Sequence, residues 1–406
     1  MSIYLTIIIL GLLIFLSHVF NELFEKTKIP NVLLLLLIGI IIGPVSGIVT
    51  KDFFGKLGNV FTTITLIVIL FESGSGLNFK ELKKAIGSAA LFTILNFILS
   101  ALLTSAIVHY LLKVNIMSAV FLGAIVGGTS SAVVIPMVQQ LKMSEKCSSI
   151  LILESALSDI LCLIIGLALL DGITQGVVSL TMILTKLWKT VIFAISLGLV
   201  SGFLWSLIIN KIRSVKNSMF TTLAFVFVLY GIVELLGLIG GIAVLSFGIL
   251  LGNAESLRKL STFQKVVAFQ NSGLNSNERD FFAEIVFIMQ TYFFVYVGIS
   301  IQFASPAVYA TGCLIVMLII AIRIPGIVLL TGKSISKPER TIMSVMTPKG
   351  LVPAVLASLP LQRGLAHGEI ILDLAYSIVL FSIVICSLLV IVLSLKPNLL
   401  TAMKSD

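Results

Sequence analysis

The chain has 406 residues, of which 58% are hydrophobic and only 11% charged, with a formal net charge of +9. Soluble domains are nearer ~45–50% apolar and ~25% charged, so this composition excludes one and points to an all-α polytopic protein of the lipid bilayer. The basic excess would suggest nucleic acid in a soluble protein, but here it falls in the connections between apolar runs, which excludes that partner.

In chain order, apolar runs set against polar breaks predict thirteen transmembrane spans: 3–24, 32–50, 59–77, 86–112, 118–140, 147–170, 187–209, 219–236, 238–253, 281–303, 306–332, 340–363 and 369–395. The first lacks a basic n-region and a small-residue exit, and reads as a retained helix. The eighth and ninth are short and divided only around Gly237. The longest polar stretch is 253–280 and the chain ends soon after Pro397, so any regulatory domain is expected on a separate chain. Cys147, Cys162, Cys313 and Cys386 lie in or beside apolar spans without paired ligand spacing; they are expected as packing residues, and no cofactor is expected. Trp188 and Trp205 bracket the seventh span and are expected as interface anchors. With the N-terminus outside, the inside loops and tail carry nineteen lysines and arginines, among them Lys80, Lys83, Lys84, Lys259 and Lys265, against six outside. That asymmetry predicts a multi-pass protein of the cell (plasma or inner) membrane with its C-terminus in the cytoplasm.

Two spans are interrupted alike. The fifth carries Gly127-Gly128-Thr129-Ser130-Ser131 and then Pro136; the twelfth carries Thr347-Pro348-Lys349-Gly350 and then Pro353 and Pro360. Glycine and proline at bilayer depth break the helical ladder, and the freed backbone groups must line protein or a water cavity. Either break alone reads equally well as an ordinary kink. By the loop charges, however, the two spans run in opposite directions, and each is fifth in a block of six (spans 1–6 and 8–13). That predicts two inverted six-helix repeats whose broken helices, 5 and 12, meet at mid-membrane.

Ionisable groups at this depth each need a reason. The sixth span contains Glu154-Ser155-Ala156-Leu157-Ser158-Asp159, with Asp159 about 12 residues, or ~18 Å, into the bilayer. Ser155 and Asp159 share one helix face as i, i+4 neighbours; Glu154 and Ser158 share another, rotated by about 100°. Two cations face these carboxylates, Arg323 in mid-span and Lys349 in the second break. Arginine cannot shed its charge, so Arg323 is expected to pair with Glu154 as a structural tie. Asp159 is then left for ion binding; the plainer alternative is a salt bridge to Lys349. Glu72, in the third span, is a candidate inner lip of the site or a cavity-facing glutamate with no direct role. Glu234 and Glu284 lack such neighbours. A carboxylate beside hydroxyls (Ser155, Thr129, Ser130) and freed carbonyls is a set of hard oxygen ligands for a dehydrated monovalent cation, for which a proton competes. One such carboxylate predicts electroneutral 1:1 exchange of cation for proton.

These residues resemble the cation:proton antiporter superfamily across nearly the whole chain. Lys28-Ile29-Pro30 to Gly43-Pro44 looks like its second helix. Glu154-Ser155-Ala156-Leu157-Ser158-Asp159 resembles the E-S-x-x-N-D motif of the NhaP and eukaryotic Na+/H+ exchanger branch. Thr129-Ser130-Ser131 stands where that branch has T-D-P, Pro348-Lys349-Gly350-Leu351-Val352 where it has P-R-G-x-V, and Arg323-Ile324-Pro325 matches its span-eleven arginine. The resemblance implies the NhaA-like antiporter fold, with Asp159 as cation and proton ligand. It implies Ser155 and Thr129 as further ligands, Glu72 as a candidate fourth, and Glu154–Arg323 as the structural pair. Ser130 and Ser158 are expected at the same crossing, and Lys349 is expected either to offset charge at the break or to exchange protons itself. It also implies a homodimer in which an ion-binding core (86–170 and 306–397) moves in elevator fashion against scaffold helices (1–80 and 217–305), linked by 186–210. Ser158 replaces the branch's asparagine and Ser130 the aspartate of T-D-P. The NhaP and Na+/H+ exchanger motifs imply Na+ and Li+ as substrates; a serine-rich crossing is closer to the Kef-type K+/H+ branch, which makes K+ exchange or efflux the alternative, and sodium-coupled symport of an organic anion is a second.

Overall fold

The computed structural model describes residues 3–27, 29–49, 51–76, 88–175, 180–213, 219–258, 273–301, 305–331 and 335–394. The loop residues Lys80, Lys83, Lys84, Lys259 and Lys265 lie outside them. All regular structure among the described residues is helical. The helices are α1 (Ile3–Thr27), α2 (Asn31–Ile40, continued by a π-helical turn, Ile41–Val45), α3 (Lys51–Gly76), α4 (Ser88–Leu112), α5 (Ile116–Val126), α6 (Ser131–Gln140), α7 (Glu145–Thr174) and α8 (Leu180–Ile212). They continue with α9 (Met219–Leu235), α10 (Gly240–Arg258), α11 (Ser276–Ser300), α12 (Pro306–Thr331), α13 (Lys337–Val345), α14 (Leu351–Gln362) and α15 (Gly368–Ser394). Each of the thirteen predicted spans is present. The fifth is divided into α5 and α6, and the twelfth into α13 and α14.

The chain forms two compact units, Met1–Asn59 with Ala85–Gly166 and Gln290–Asp406, and Val60–Lys84 with Leu167–Met289. In the first unit, α4 turns into α5 within three residues. Lys113 takes a left-handed φ of 52°, and the Asn115 side chain caps α5 by accepting from the Met117 N–H at 2.9 Å. Proline 44 has no N–H to give, and the end of α2 widens into the π turn around it. Where α2 crosses α11 there is no room for side chains: a Cβ on Gly39 would lie 2.8 Å from the Gly298 Cα. Lipid supplies no hydrophobic drive between helices, so such close backbone contacts carry the packing. The starts of α13 and α7 are joined by Glu339, whose Oε1 accepts the Ser144 N–H at 2.8 Å, while Ser336 caps α13.

The second unit packs α3, α8, α9 and α10. The division at Gly237 is a Schellman ending of α9. Gly237 has φ +70°, its N–H donates to the Glu234 carbonyl at 2.9 Å, and the Leu238 N–H donates to the Val233 carbonyl at 3.1 Å. Glu234 then reaches forward to accept the Gly240 N–H at 2.8 Å, which satisfies a free donor at the start of α10. That is a structural use for an intramembrane acid; Glu284 is exposed. Arg213 at the end of α8 holds Glu278 in the first turn of α11 through two nitrogens, at 2.8 and 2.6 Å. Trp205 corrects the expectation of an interface anchor. It is buried, its indole N–H donates to Thr222 Oγ1 at 3.2 Å, and its ring stacks on Phe225. A neighbouring hydroxyl satisfied the indole, so no headgroup is needed. The Trp188 side chain lies outside the described residues. Large apolar side chains stand exposed on both units, among them Leu91, Leu102, Ile192 and Val200, and lipid is the solvent that suits them.

Candidate functional site

The two helix breaks cross within the first unit. Between α5 and α6, residues 127–130 leave the helix; between α13 and α14, residues 346–350 do. The Ser130 N–H donates to the Pro348 carbonyl at 2.8 Å, which ties one break to the other. Gly350 fits because it has no Cβ: an added one would lie 2.5 Å from the Ser130 Cβ and closer still to its hydroxyl. Gly128 is confined in the same way by α7. A Cβ there would lie 2.7 Å from Cys162 Sγ, which accepts the Gly128 N–H at 3.2 Å. Cys162 therefore does more than pack. All four cysteines are free thiols.

The two helix ends of the first break each meet an ionisable side chain. The C-terminal end of α5 leaves carbonyls without intrahelical donors and carries partial negative charge. Lys349, buried, donates from Nζ to the Gly128 carbonyl at 2.6 Å, just past that end. Its backbone N–H donates to Ser382 Oγ on α15 at 2.8 Å. At the opposite side of the break, the N-terminal end of α6 presents unpaired N–H groups and attracts an anion. Asp159 occupies it. Its Oδ2 accepts from the Ser131 hydroxyl at 2.6 Å and from the Ser131 N–H at 3.2 Å. Asp159 as a whole residue is half-buried.

The second carboxylate of the motif is fully engaged. Glu154 pairs with Arg323 in bidentate fashion. Arg323 Nη1 donates to Glu154 Oε1 and Nη2 donates to Oε2 at 2.6 Å. Asn96 on α4 donates to Oε1 at 3.0 Å, Arg323 Nε donates to the Met343 carbonyl in the last turn of α13 at 3.0 Å, and the guanidinium lies 5.6 Å from the Phe92 ring centre. Arg323 thus satisfies an orphaned carbonyl of α13 as well as a buried carboxylate, and four helices are fastened around it.

The crossing brings together most of the residues expected at the site. The Thr129 N–H donates to Ser158 Oγ at 3.0 Å, and the two hydroxyls lie 3.3 Å apart, so these residues tie α7 to the break. Ser155 is buried and its hydroxyl donates to the Ile152 carbonyl of its own helix at 3.0 Å, which uses the proton and leaves the oxygen able to accept or to ligate. Lys349 meets a carbonyl; among the described residues no ion pair joins it to Asp159. Glu72 belongs to the second unit, where its carbonyl accepts the Ser75 hydroxyl at 3.0 Å. Ser131, Asn96 and Ser382 were not anticipated. Ser131 opens α6 directly after the break, where no preceding helical period gives its direction, and a single serine or asparagine on an apolar helix, as at Ser382 and Asn96, carries no motif. Among the described residues, no group of three His, Cys, Asp or Glu could hold a metal ion.

This geometry can be set beside known proteins. A family model described as "Sodium/hydrogen exchanger, transmembrane" matches residues 9–397. The chain belongs to that family. Within the sodium/hydrogen exchanger family it is 27% identical over 374 residues to Na+/H+ antiporter 1 of Methanocaldococcus jannaschii, covering 86% of this chain and 81% of the relative. It is 23% identical over 386 residues to the K+/H+ antiporter NhaP2 of a Shewanella species, covering 92% of this chain and 64% of that protein. The chain therefore spans less than two thirds of the length of this K+/H+ relative. Among solved structures, the sodium proton antiporter MjNhaP1 of Methanocaldococcus jannaschii at pH 8 superposes with a TM-score of 0.73 at 23% identity, over 95% of this chain and 100% of that one. The exchanger chain thus has the antiporter fold, with broken fifth and twelfth spans.

Proposed function

We propose that this chain is a secondary active transporter that exchanges a monovalent cation, Na+ and also Li+, for H+ by alternating access, with cation and proton competing for Asp159. One observation carries the reading. Of the two carboxylates in the Glu154–Asp159 motif, Glu154 is matched by Arg323, whereas among the described residues Asp159 is hydrogen-bonded only by the neutral donors of Ser131. An anion taken from water without a cationic partner favours whatever positive charge can reach it, and both a proton and a dehydrated alkali ion fit. Asp159 with a proton and Asp159 with Na+ leave the same net charge in the crossing, which gives electroneutral 1:1 exchange. Oxygen atoms of Thr129, Ser130, Ser155 and Ser158 are the candidate further ligands, and Glu72 remains a candidate from the sequence pattern. In this reading the helices of 86–170 and 306–397 move together, in a homodimer, against 1–80 and 217–305, and the C-terminus faces the cytoplasm.

A second reading, K+/H+ exchange, is favoured by the Shewanella relative's name and by the neutral Ser130 in the break. Reconstitution with a pH dye inside the vesicles separates the two. Dequenching after pulses of Na+ and Li+, with K+ and Rb+ silent, supports the first reading. A response to K+ and Rb+ supports the second. Silence to every cation unless an organic anion is present contradicts both and points to symport.

A further inference from the structure

The hydroxyl that reaches Asp159 sits where the resembling branch carries proline, the last position of T-D-P. Proline has neither an N–H nor a hydroxyl, and here Ser131 uses both. Its Oγ and its N–H converge on a single carboxylate oxygen, Oδ2, at 2.6 and 3.2 Å. Among the described residues, the hydrogen bonds to Asp159 all fall on Oδ2 and none on Oδ1. The second side-chain torsion of aspartate is broad, so an unrestrained carboxylate rotates through many orientations. Two donors from one residue at the first position of α6 remove that freedom, and the backbone donor is itself fixed by the helix it begins.

We propose that Ser131 is a positioning residue for cation binding: it clamps Asp159 by Oδ2 and presents Oδ1 to the incoming cation. The clamp belongs to this chain's sequence and not to the branch's pattern, and it supplies order at a break that lacks the branch's aspartate at position 130. The inference rests on Asp159 being the ion-binding carboxylate. A preoriented ligand raises affinity by cutting the ordering cost of binding, so its loss shows in the half-saturating cation concentration and not in the maximal rate.

The test is a comparison of Na+ half-saturation and maximal exchange rate in proteoliposomes for the wild type, Ser131→Thr, Ser131→Ala and Ser131→Pro, with Asp159→Asn as control. Threonine keeps both donors and is expected at the wild-type half-saturation. Alanine loses the hydroxyl bond to a charged group, and half-saturation is expected to rise about tenfold with the maximal rate unchanged. Proline loses both donors and is expected to rise at least as far; proline is well tolerated in a first helical turn. If the alanine protein does not fold, the proline variant is read in the same way. Wild-type half-saturation in the alanine and proline proteins overturns the clamp, as does a loss of maximal rate or folded yield at unchanged half-saturation. With Asp159→Asn inactive, that failure leaves the exchange reading standing. Exchange that persists in Asp159→Asn removes both.

Discussion

At the scale of residues, the crossing separates two acids five positions apart. Glu154 and Arg323 neutralise each other in a buried site with Asn96 and the Met343 carbonyl completing their hydrogen bonds. Removing one partner strands a buried charge, and such losses cost about 3–5 kcal/mol. Arg323→Ala is therefore expected to lower the melting temperature and folded yield in detergent, and Glu154→Ala to do the same. The double variant is expected to lose less than the sum of the two, since neither charge is then stranded. A stable, monodisperse Arg323→Ala protein without exchange activity would count against the structural role. The motif made this pair legible in the sequence, because an arginine at mid-span must have a carboxylate. Which serine meets Asp159 was not legible. Thr129, Ser130 and Ser131 follow one another in a stretch with no helical period, and only the geometry of the break turns the third toward α7.

At the scale of elements, the breaks depend on glycine where two backbones cross. Gly350→Ala places a methyl group 2.5 Å from the Ser130 Cβ, an atom that moves only with the backbone of the other break. We expect this substitution to separate the breaks and abolish exchange while the other helices still insert; wild-type exchange rates from Gly350→Ala would contradict the crossing. Lys349 donates to the Gly128 carbonyl just past the end of α5, and the proposed role is to offset the charge of that helix end. Lys349→Met keeps the length of the stem but leaves the Gly128 carbonyl without its donor in a site where water cannot replace it. A loss of about 1–3 kcal/mol is expected, read as a lower melting temperature in detergent; an unchanged melting temperature would show that the amine is not what stabilises the break. The breaks themselves could be read from glycine and proline in otherwise apolar runs, and the Schellman ending at Gly237 explains why spans eight and nine were hard to separate. The role of Trp205 was not legible, because its partner Thr222 lies on another helix.

At the scale of the whole molecule, thirteen apolar runs were enough to predict the helices, since a bilayer requires each backbone ladder to be completed internally. Their assembly depends on contacts that leave little trace in one sequence, such as Gly39 against Gly298. The proposed electroneutral stoichiometry is tested at this scale. Clamping the vesicle potential with a K+ ionophore at different K+ gradients should leave the rate of Na+-driven alkalinisation unchanged; a rate that follows the potential would show unequal stoichiometry and a second titrating group. The ion-binding role of Asp159 is tested by Na+-pulse dequenching of an internal pH dye in proteoliposomes carrying the wild type or Asp159→Asn at equal reconstituted amounts. The account predicts a response from the wild type and none from a correctly folded Asp159→Asn protein. Proton movement driven by Na+ in the asparagine protein would contradict it.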